Sequence, residues 1–501
     1  MALLQEPSLL FSLTTLFLVI IFLKFIFKKP RKTSLNLPPS PPKLPIIGNL
    51  HQLGTNPHIS LRNLAQKYGK ILYLKLGEIP TVIVSSPRLA EKLFKSHDIA
   101  LSNRPQIISA KYLFYNCTDI GFSPYGAYWR YIRKICIIEL LSTKRVQSFS
   151  FVREEEVARL VSRVSESCPG TVSLSKLLGS YANNVVCRVA FGMDFTVGGD
   201  YDKQGFQKLL QEYQELLGGL SIEDFFPSKD FIHILTGMKS RLVNTFTRFD
   251  KLFDEIIAEH QNPKRERDEK KVDLVDVLLD IQKNDSGEMP LTVNNVKAII
   301  LDMFAAGTDT IFITLDWVMT ELVMNPKAME EAQAEVRSVV GKKRIVLESD
   351  IPHMNYLKAV IKETYRLHPP APLLLPRESS EELTVDGYNI PAKTRIFVNA
   401  WAIGRDPEIW EDPETFKPER FIGSNIDFKG TNFELIPFGA GRRICPGMDF
   451  GTASFELALA QLLHSFDWEL PPGKDLDMAE VFGITMHRKE GLVVLVKPHF
   501  L

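Results

Sequence analysis

The sequence has no net charge and little cysteine, and each of these features argues against certain classes of protein. Its 501 residues include 60 Lys and Arg against 60 Asp and Glu, so the basic excess that attracts nucleic acid is missing. The five cysteines are widely spaced and contain no CxxC pair, which argues against a disulfide framework or a cysteine-only zinc site and favours a reducing compartment. GxGxxG and Walker A strings are also absent. We therefore expect no nucleotide site in this chain and no nucleic-acid partner.

An apolar run of 19 residues with a single charge, Lys24, occupies residues 9–27. As a helix it would extend about 28 Å, enough for a thin bilayer. A basic cluster follows at residues 28–32, whereas no Lys or Arg precedes the run, so the positive-inside rule puts the bulk of the chain in the cytosol. A cleaved signal peptide would need a basic start and a small-residue cleavage site, and neither is present. We predict that residues 1–32 are a single-pass membrane anchor.

The segment after the anchor, residues 33–50, is rich in proline and is predicted to be an extended, semi-rigid hinge. Residues 51–501 show no further linker and are predicted to form one domain. Its fold class is mainly α with a small β-rich lobe (α+β), because most segments have a helical period and few alternate. The predicted strands are 71–76, 81–85, 388–391 and 395–400, the last two as a pair, and the predicted helices include 142–167, 206–217, 238–260, 272–283 and 329–340.

The longest predicted helix begins after Thr292, a plausible N-cap, and ends near Met324, before Asn325-Pro326. Its centre, AAGTDT at residues 305–310, places small and polar residues inside an otherwise apolar helix. A tight helix crossing would explain this composition. The alternative is a helix that bends beside a bound group and presents an alcohol and an acid to it.

A decapeptide near the carboxyl end, FGAGRRICPG at residues 438–447, surrounds Cys445 with glycine and arginine. The glycines permit tight turns, and Pro446 opens a predicted apolar helix at residues 448–465. Cys445 thus lies at a helix entrance, where the dipole and free N–H groups favour a thiolate. A lone cysteine is more often a buried structural residue, but this loop suits a thiolate that ligates a metal carrying anionic groups.

The decapeptide matches F-x-x-G-x-R-x-C-x-G and so resembles the haem-binding signature of the cytochrome P-450 superfamily. Three further motifs lie before it in the sequence, in the order typical of that family: AGTDT at 306–310, ETYR at 363–366 and PERF at 418–421. With the anchor and the hinge, the resemblance covers essentially the whole chain and is closest to plant microsomal members of specialised metabolism. It implies the cytochrome P-450 fold, in which a long central helix crosses haem, and makes residues 51–501 a haem-thiolate catalytic domain.

The resemblance implies a role for each matching residue. Cys445 would be the axial ligand to the iron of haem b, iron protoporphyrin IX, and Asp309 and Thr310 would deliver protons during oxygen activation. The residues that would surround the haem and hold its propionates are Trp129, Arg133, Arg377, Arg443 and Phe438, since guanidinium groups suit carboxylates. A buried ion network of Glu363, Arg366 and Arg420 would support the pocket.

The resemblance also implies partners and a location. Electrons would come from an NADPH-dependent cytochrome P-450 reductase, and the other reactants would be O2 and a small lipophilic substrate. Basic residues such as Arg130, Lys134 and Arg442 would meet an acidic partner, although a solvated face explains them equally well. The protein would lie in the endoplasmic reticulum membrane, crossing it once, with the catalytic domain in the cytosol.

By resemblance, the substrate pocket is walled mostly by apolar residues, which predicts a hydrophobic substrate. These residues are Phe304, Ala305, Leu373, Leu374, Leu375, Val481, Phe482 and Ile484. A terpenoid is favoured, with alkaloid and phenylpropanoid scaffolds open. The predicted activity is a monooxygenase, with two alternatives: a haem-thiolate enzyme that rearranges, dehydrates or closes a ring without net oxygen insertion, and a non-catalytic haem-binding protein. The pair Asp309 and Thr310 favours the first.

Overall fold

Helices built on apolar stripes make up most of the computed structural model, and the described strands are short and form separate sheets. The structure describes residues 14, 15, 17, 35–193, 206–218, 222–229, 236–265, 272–284 and 289–499. The predicted anchor therefore lies almost wholly outside the described residues. The described α-helices are Pro57–Tyr68, Pro87–Glu91, Ile108–Leu113, Ala127–Ile135, Thr143–Ser148, Ser150–Ser165, Leu174–Phe191, Phe206–Gly218, Ile222–Phe225, Met238–His260, Leu274–Asn284, Val293–Met324, Pro326–Val340, Asn355–Leu367, Ala400–Ile403 and Met448–Ser465.

The helix Val293–Met324, here called the central helix, spans 32 residues. Thr292 caps it as predicted: its hydroxyl accepts from the amide of Asn295, whose side chain bonds back to the Thr292 amide. Among the described residues, this is the helix long and apolar enough to cross a membrane, yet 67% of its most apolar window is buried inside the protein. It is thus the core helix of the domain, and it runs unbroken through the AAGTDT segment.

The strands form a four-stranded sheet and three smaller ones. The four-stranded sheet has the order Ile71–Leu76, Ile79–Val84, Arg395–Val398, Arg377–Glu378. Its middle pair, Ile79–Val84 with Arg395–Val398, is parallel, and the outer pairs are antiparallel. The smaller sheets pair Gly170–Ser173 and Phe466–Glu469 with Val493–Pro498, Leu383–Val385 with Tyr388–Ile390, and Glu480–Phe482 with Met486–Arg488.

Two predicted elements differ from the structure. The predicted helix 142–167 is two helices that break at Phe149, because the carbonyl of Val146 accepts from the Phe149 amide and from the guanidinium of Arg153 instead of continuing the helical ladder. The predicted pairing of 388–391 with 395–400 is wrong. Tyr388–Ile390 pairs with the strand just before it, and Arg395–Val398 joins the four-stranded sheet.

The proline-rich residues 35–50 lie along the four-stranded sheet. The amide of Tyr73 donates to the carbonyl of Pro39 at 2.9 Å. Asn49 is fully buried, and its carboxamide oxygen accepts from the Lys75 amide at 2.9 Å. Gly48 has φ +60°, and an added Cβ would lie 1.9 Å from the Lys75 carbonyl oxygen, so only glycine fits there. The described end of the predicted hinge is thus fixed to the four-stranded sheet.

Candidate active site

The loop around Cys445 is held by its own backbone. The amide of Cys445 donates to the carbonyl of Phe438 at 2.9 Å, which closes the loop on itself. Gly439 and Gly441 have φ +71° and +69°, a region open to glycine with little strain. An added Cβ at Gly441 would also meet a carboxylate oxygen of Asp98 at 2.4 Å. Conformation therefore favours glycine at both positions, and at Gly441 the close approach of Asp98 also requires it.

Cys445 lies in the wall of a cavity of about 320 Å³ and just before the helix Met448–Ser465, as the sequence predicts. Burial raises the pKa of its thiol above the ordinary value, while the Gly447 amide and the guanidinium of Arg133 act in the opposite direction. Burial therefore outweighs the helix-entrance effect on which the sequence argument relied. A cation above the sulfur is the group that would keep it as a thiolate.

Four buried guanidinium groups gather at one side of this cavity: Arg104, Arg133, Arg377 and Arg443. Most of their bonds go to backbone carbonyls. Arg443 donates to Ser102, Ile120 and Ser123 at 2.7, 3.1 and 2.5 Å, and Arg377 donates to Ala440 at 2.6 Å. Arg133 donates to Ile444 at 2.5 Å, and Arg104 to Gly121, Leu375 and Pro376 at 2.8 to 2.9 Å. Neutral carbonyls leave the positive charge of this cluster largely uncompensated.

The pKa values of these arginines show that the positive charge of the cluster is not balanced. Burial, together with repulsion from Arg377 and Arg133, lowers the pKa of Arg443 to about 9, against the attraction of Asp119. Burial likewise lowers the pKa of Arg377 to about 10. The nearest carboxylate, Asp98, is 3.5 Å from Arg377 and is shared with Arg442. An anion at this side of the cavity would relieve the repulsion.

Trp129, also predicted to face the propionates, lies behind the arginines. Its ring stacks under Arg443, with the guanidinium carbon 4.0 Å from the ring centroid. Its indole N–H donates to the carbonyl of Ile120 at 3.1 Å. In this arrangement Trp129 positions Arg443. Phe438 lines the cavity itself and packs edge-on against Tyr365, with the ring centroids 5.3 Å apart.

Glu363, Arg366 and Arg420 meet as the sequence predicts. Arg366 and Glu363 are fully buried and form a bidentate pair, both bonds 2.7 Å. Nε of Arg420 reaches the same carboxylate at 3.1 Å. Arg366 also donates to the carbonyls of Gly404 and Pro413, each at 2.6 Å. This network ties the helix Asn355–Leu367 to the segment that precedes the Cys445 loop.

Asp309 and Thr310 line the cavity from the central helix. Thr310 donates to the carbonyl of Ala306 at 2.8 Å. The carboxylate of Asp309 accepts a short bond from the hydroxyl of Thr485 and a further bond from Gln214. Burial raises the pKa of Asp309 above its ordinary value, against these bonds and His487. The acid therefore holds its proton to a higher pH than an exposed aspartate.

The predicted substrate-pocket residues lie in four different surroundings. Ala305, Leu374, Leu375 and Ile484 line the cavity that contains Cys445, whereas Leu373 and Phe482 line a smaller adjoining space. Phe304 is fully buried and packs against Phe191 at 5.8 Å between ring centroids, on the core side of the central helix. Val481 is 46% exposed at the surface. Phe304 and Ala305 lie on a helix, and Val481 and Phe482 lie on a strand, where adjacent residues face different surroundings.

Comparison with known proteins identifies the family. A sequence profile of the cytochrome P450 family matches residues 38–495. The chain belongs to the cytochrome P450 family. It is similar to cytochrome P450 71AP13 of Prunus mume, with 72% identity over 99% of this chain and 97% of that protein. It is 48% identical to phenylacetaldehyde oxime monooxygenase CYP71AN24 of Prunus mume, over 94% of this chain and 90% of that one.

Two further relatives extend the family. Premnaspirodiene oxygenase of Hyoscyamus muticus is 45% identical, with 98% of each chain aligned. A zebra fish cytochrome P450 solved with abiraterone shares the fold with a TM-score of 0.76 and 26% identity, over 89% of this chain and 100% of that chain. The chain is therefore a plant P450 monooxygenase, an oxidoreductase with a haem cofactor that takes electrons from a redox partner and uses O2.

The residues present fit the haem of a P450. Haem has a flat apolar ring and two carboxylates, and the cavity offers apolar walls with a cluster of buried cations at one side. The repulsion among those cations is relieved only by an anion, which the propionates supply. Cys445 provides a sulfur in the same wall. Arg104, Arg133, Arg377 and Arg443 would hold the propionates, and Cys445 the iron.

Several residues that line this P450 cavity were not predicted from the sequence. Arg104 joins the arginine cluster, and Asp302 lies in the cavity wall, where its carboxylate accepts from the Ile120 amide at 2.6 Å. Burial and the nearby Asp119 raise the pKa of Asp302 well above its ordinary value. Asp302 lies seven positions before Asp309 on one helix, so the two acids share a face. That spacing is the signal that would have found it.

Proposed function

We propose that this P450 hydroxylates or otherwise oxidises a lipophilic plant specialised metabolite, with a terpenoid favoured. One oxygen atom of O2 enters the substrate and the other leaves as water, with two electrons from NADPH delivered through a flavoprotein reductase. The observation that carries this proposal is the cavity itself: Cys445 lies in one wall, and Asp309 and Thr310 lie on the central helix in another. The space between is lined mainly by apolar side chains, which suits a lipophile.

The bound haem would supply the oxidising chemistry, and the chain's own residues would control protons and position. Asp309 lies in a buried site that raises its pKa above the ordinary value, and it is hydrogen-bonded to Thr485 and Gln214. Thr310 is one residue further along the helix and presents its hydroxyl beside the cavity. An acid next to an alcohol can relay protons from outside into an apolar space. We assign proton delivery to this pair and positioning of Asp309 to Thr485.

The substrate proposal rests on the lining and on the relatives. Ala305, Leu374, Leu375 and Ile484 present apolar groups to the cavity. One relative is named for the oxygenation of premnaspirodiene, a diene by its name, which favours a terpene-like hydrocarbon. Another, slightly more identical, is named for an aldehyde oxime, so alkaloid and phenylpropanoid scaffolds stay open. Product analysis of microsomes that contain this protein and a reductase, fed with candidate terpenes, tests the choice.

The haem spectrum of a Cys445 variant and the oxygen requirement of turnover test the class of reaction. Purified wild-type protein should give the carbon monoxide difference spectrum of thiolate-ligated haem, and Cys445→Ala should lose that band. A normal band in the variant would contradict the ligand assignment. NADPH consumption with reductase should require oxygen and substrate. Product formed without oxygen would instead support the rearranging haem-thiolate enzyme, and no turnover of any substrate would support the non-catalytic haem protein.

The reductase proposal rests on an exposed basic face on the Cys445 side. Arg130 and Lys134 are exposed on the helix Ala127–Ile135, whose Arg133 turns inward to the cavity. Arg442 is also exposed, but it pairs with Asp98 at 3.3 Å. We therefore expect Arg130→Glu and Lys134→Glu to raise the reductase concentration needed for half-maximal turnover. Arg442→Gln should change it less, and a solvated face predicts no change in any of them.

We further propose that residues 1–32 anchor the protein in the endoplasmic reticulum membrane, with the catalytic domain in the cytosol. Asn116 tests this orientation, because Asn116-Cys117-Thr118 is a glycosylation sequon and Asn116 is exposed. In a cytosolic domain it should carry no glycan. Glycosidase treatment of the native membrane protein should leave its mobility unchanged, and a shift traced to Asn116 would reverse the proposed topology.

A further inference from the structure

A second, smaller space adjoins the haem cavity and contains a buried cation. Its volume is about 60 Å³. Phe122, Leu217, Leu374 and Ile484 line both spaces, so the two are separated by little more than these side chains. The smaller space, here called the antechamber, is otherwise apolar except for Arg395 and Asp224. A guanidinium group in an apolar space has a high desolvation cost unless a partner is present.

Arg395 has few partners for a buried arginine. It is 6% exposed, and its Nε is buried with no hydrogen-bond partner among the described residues. The hydrogen bond it does make is a long one, from Nη2 to the backbone carbonyl of Asp224 at 3.4 Å. Its guanidinium carbon lies 5.6 Å from the ring centroid of Phe225. Arg366 and Arg443, by contrast, each donate at least three shorter bonds.

Asp224 does not complete the site. Its carboxylate accepts from the amide of Ile108 at 2.8 Å, and no ion pair with Arg395 forms within the described part of the chain. Among the charged groups that act on Arg395, Asp224 has the strongest effect and Glu378 the next. Burial raises the pKa of Asp224, and Nε of Arg395 is left without an acceptor among the described residues. A neutral oxygen acceptor suits such a site better than an anion would.

Two segments near the antechamber pack closely against neighbouring backbone. An added Cβ at Gly218 would lie 2.6 Å from the amide nitrogen of Ile484, so the helix Phe206–Gly218 ends directly against that turn. Similarly, an added Cβ at Gly77 would lie 2.4 Å from the carbonyl oxygen of Phe225. That oxygen accepts from the amide of Glu78 at 2.8 Å. Backbone contacts thus pack the end of this helix and the segment at Phe225 closely against their neighbours. A site whose surroundings are already packed binds with less cost of ordering.

We propose that Arg395 is a specificity-determining residue, which binds a hydroxyl or carbonyl oxygen at the end of the substrate that is remote from the site of oxidation. The inference rests on the proposed function, because it places the reacting part of the same molecule in the haem cavity. It assigns this P450 an elongated lipophile that already carries one oxygen substituent. The reaction that supplies such a substrate would be an earlier oxygenation or a hydrolysis that leaves an alcohol or ketone.

Two matched series of probes test the role of Arg395. One is n-alkylbenzenes with chains of 6 to 12 carbons, and the other is the ω-phenyl-2-alkanones of equal length. Each is titrated into the intact haem protein, and binding is read from the spin-state change in the haem spectrum. At one chain length we expect the ketone to bind roughly tenfold more tightly than the hydrocarbon, the effect of one hydrogen bond to a charged donor. In Arg395→Met that ratio should fall to about one, with hydrocarbon affinity unchanged.

Control variants separate binding from folding. Arg405 is also buried and stacks at 4.0 Å on Trp401, so Arg405→Met removes a comparable cation from another part of the fold and should keep the ketone preference. If Arg395→Met fails to retain haem, Arg395→Gln keeps an amide donor and should reduce the preference by half or more. An unchanged ketone preference in a folded Arg395 variant would overturn the assignment. Failure of both series to bind wild-type protein would overturn the lipophilic pocket itself.

Discussion

Two groups of buried arginines in this domain have opposite surroundings. Arg366 and Arg420 share the carboxylate of Glu363, and the remaining donors of Arg366 reach backbone carbonyls. Within the described residues, the cluster of Arg104, Arg133, Arg377 and Arg443 shares no carboxylate in this way. Its members lower the pKa values of one another, and Asp119 offsets only part of this for Arg104 and Arg443. The first group is complete within the chain, whereas the second requires an anion from outside.

This difference distinguishes buried arginines that support the fold from buried arginines that bind a ligand. A buried ion pair whose donors and acceptors are all satisfied contributes to the fold but has nothing left to offer a ligand. A group of buried like charges is costly unless a ligand of opposite charge is bound, and the same cost makes it a receptor. The haem propionates supply that charge in a P450. Substitutions in the two groups should therefore damage the protein in different ways.

The largest effect is expected for Glu363→Gln, which leaves Arg366 buried without its carboxylate. The loss should lower the free energy of unfolding by about 3–5 kcal/mol, because an uncompensated buried charge remains. Chemical denaturation of the holoprotein, followed by circular dichroism, measures it. Glu469→Gln is the matched control, since Glu469 pairs with Lys497 at the surface, with both side chains more than half exposed. That variant should change stability by about 0.5 kcal/mol or less.

A smaller and more selective effect is expected for Arg443→Leu. Removal of one cation from the mutually repelling cluster should spare the fold but weaken haem binding by about 1.5–3 kcal/mol, the value of one hydrogen bond to a charged group. That is roughly a ten- to hundredfold faster transfer of haem to apomyoglobin. Arg405→Leu, which removes an arginine with the same 4.0 Å stacking distance on a tryptophan, should leave haem transfer unchanged. Equal haem loss in both variants would contradict a specific role of the Arg443 cluster in haem binding.

The fold was predictable where local signals were strong. The central helix begins and ends at the predicted residues, because Thr292 caps it and Asn325-Pro326 ends it. The strand Ile71–Leu76 is likewise at its predicted position. Strand partners were not predictable, since Arg395–Val398 pairs in parallel with Ile79–Val84, which is distant in the sequence. No local pattern specifies such a pairing.

The site was predictable where the residue types and their spacing point to one ligand, the haem. Cys445 and Arg443 lie in a motif whose spacing matches a known family, and the structure places both at the cavity. Position along the chain did not resolve which apolar residues face the substrate: Leu374 lines both the haem cavity and the antechamber, whereas its neighbour Leu373 lines the antechamber alone. Arg395 carried no sequence signal, because its meaning depends on the space beside it.

The smallest structural effect is expected for Thr310→Ala, which touches neither arginine group. Alanine favours the helix, and the bond from Thr310 to the Ala306 carbonyl is local, so stability and haem content should stay close to wild type. What should fall is the fraction of NADPH oxidation that yields product, with hydrogen peroxide released instead. A positioned proton donor contributes about 10²–10⁴-fold to a rate. Asp309→Asn should slow turnover while substrate binding stays nearly intact.

The measurement is product formed per NADPH consumed, with haem content determined on the same sample. Thr314→Ala is the control, because Thr314 makes the equivalent bond to the Thr310 carbonyl at 2.8 Å one turn further along the same helix. If helix packing were the only role of Thr310, both variants would lose a little stability and neither would lose coupling. A Thr310→Ala protein with wild-type coupling would therefore remove the proton-delivery role and favour the haem-thiolate enzyme that inserts no oxygen. Uncoupling in Thr310→Ala alone would show that one hydroxyl beside the cavity controls the reaction without supporting the fold.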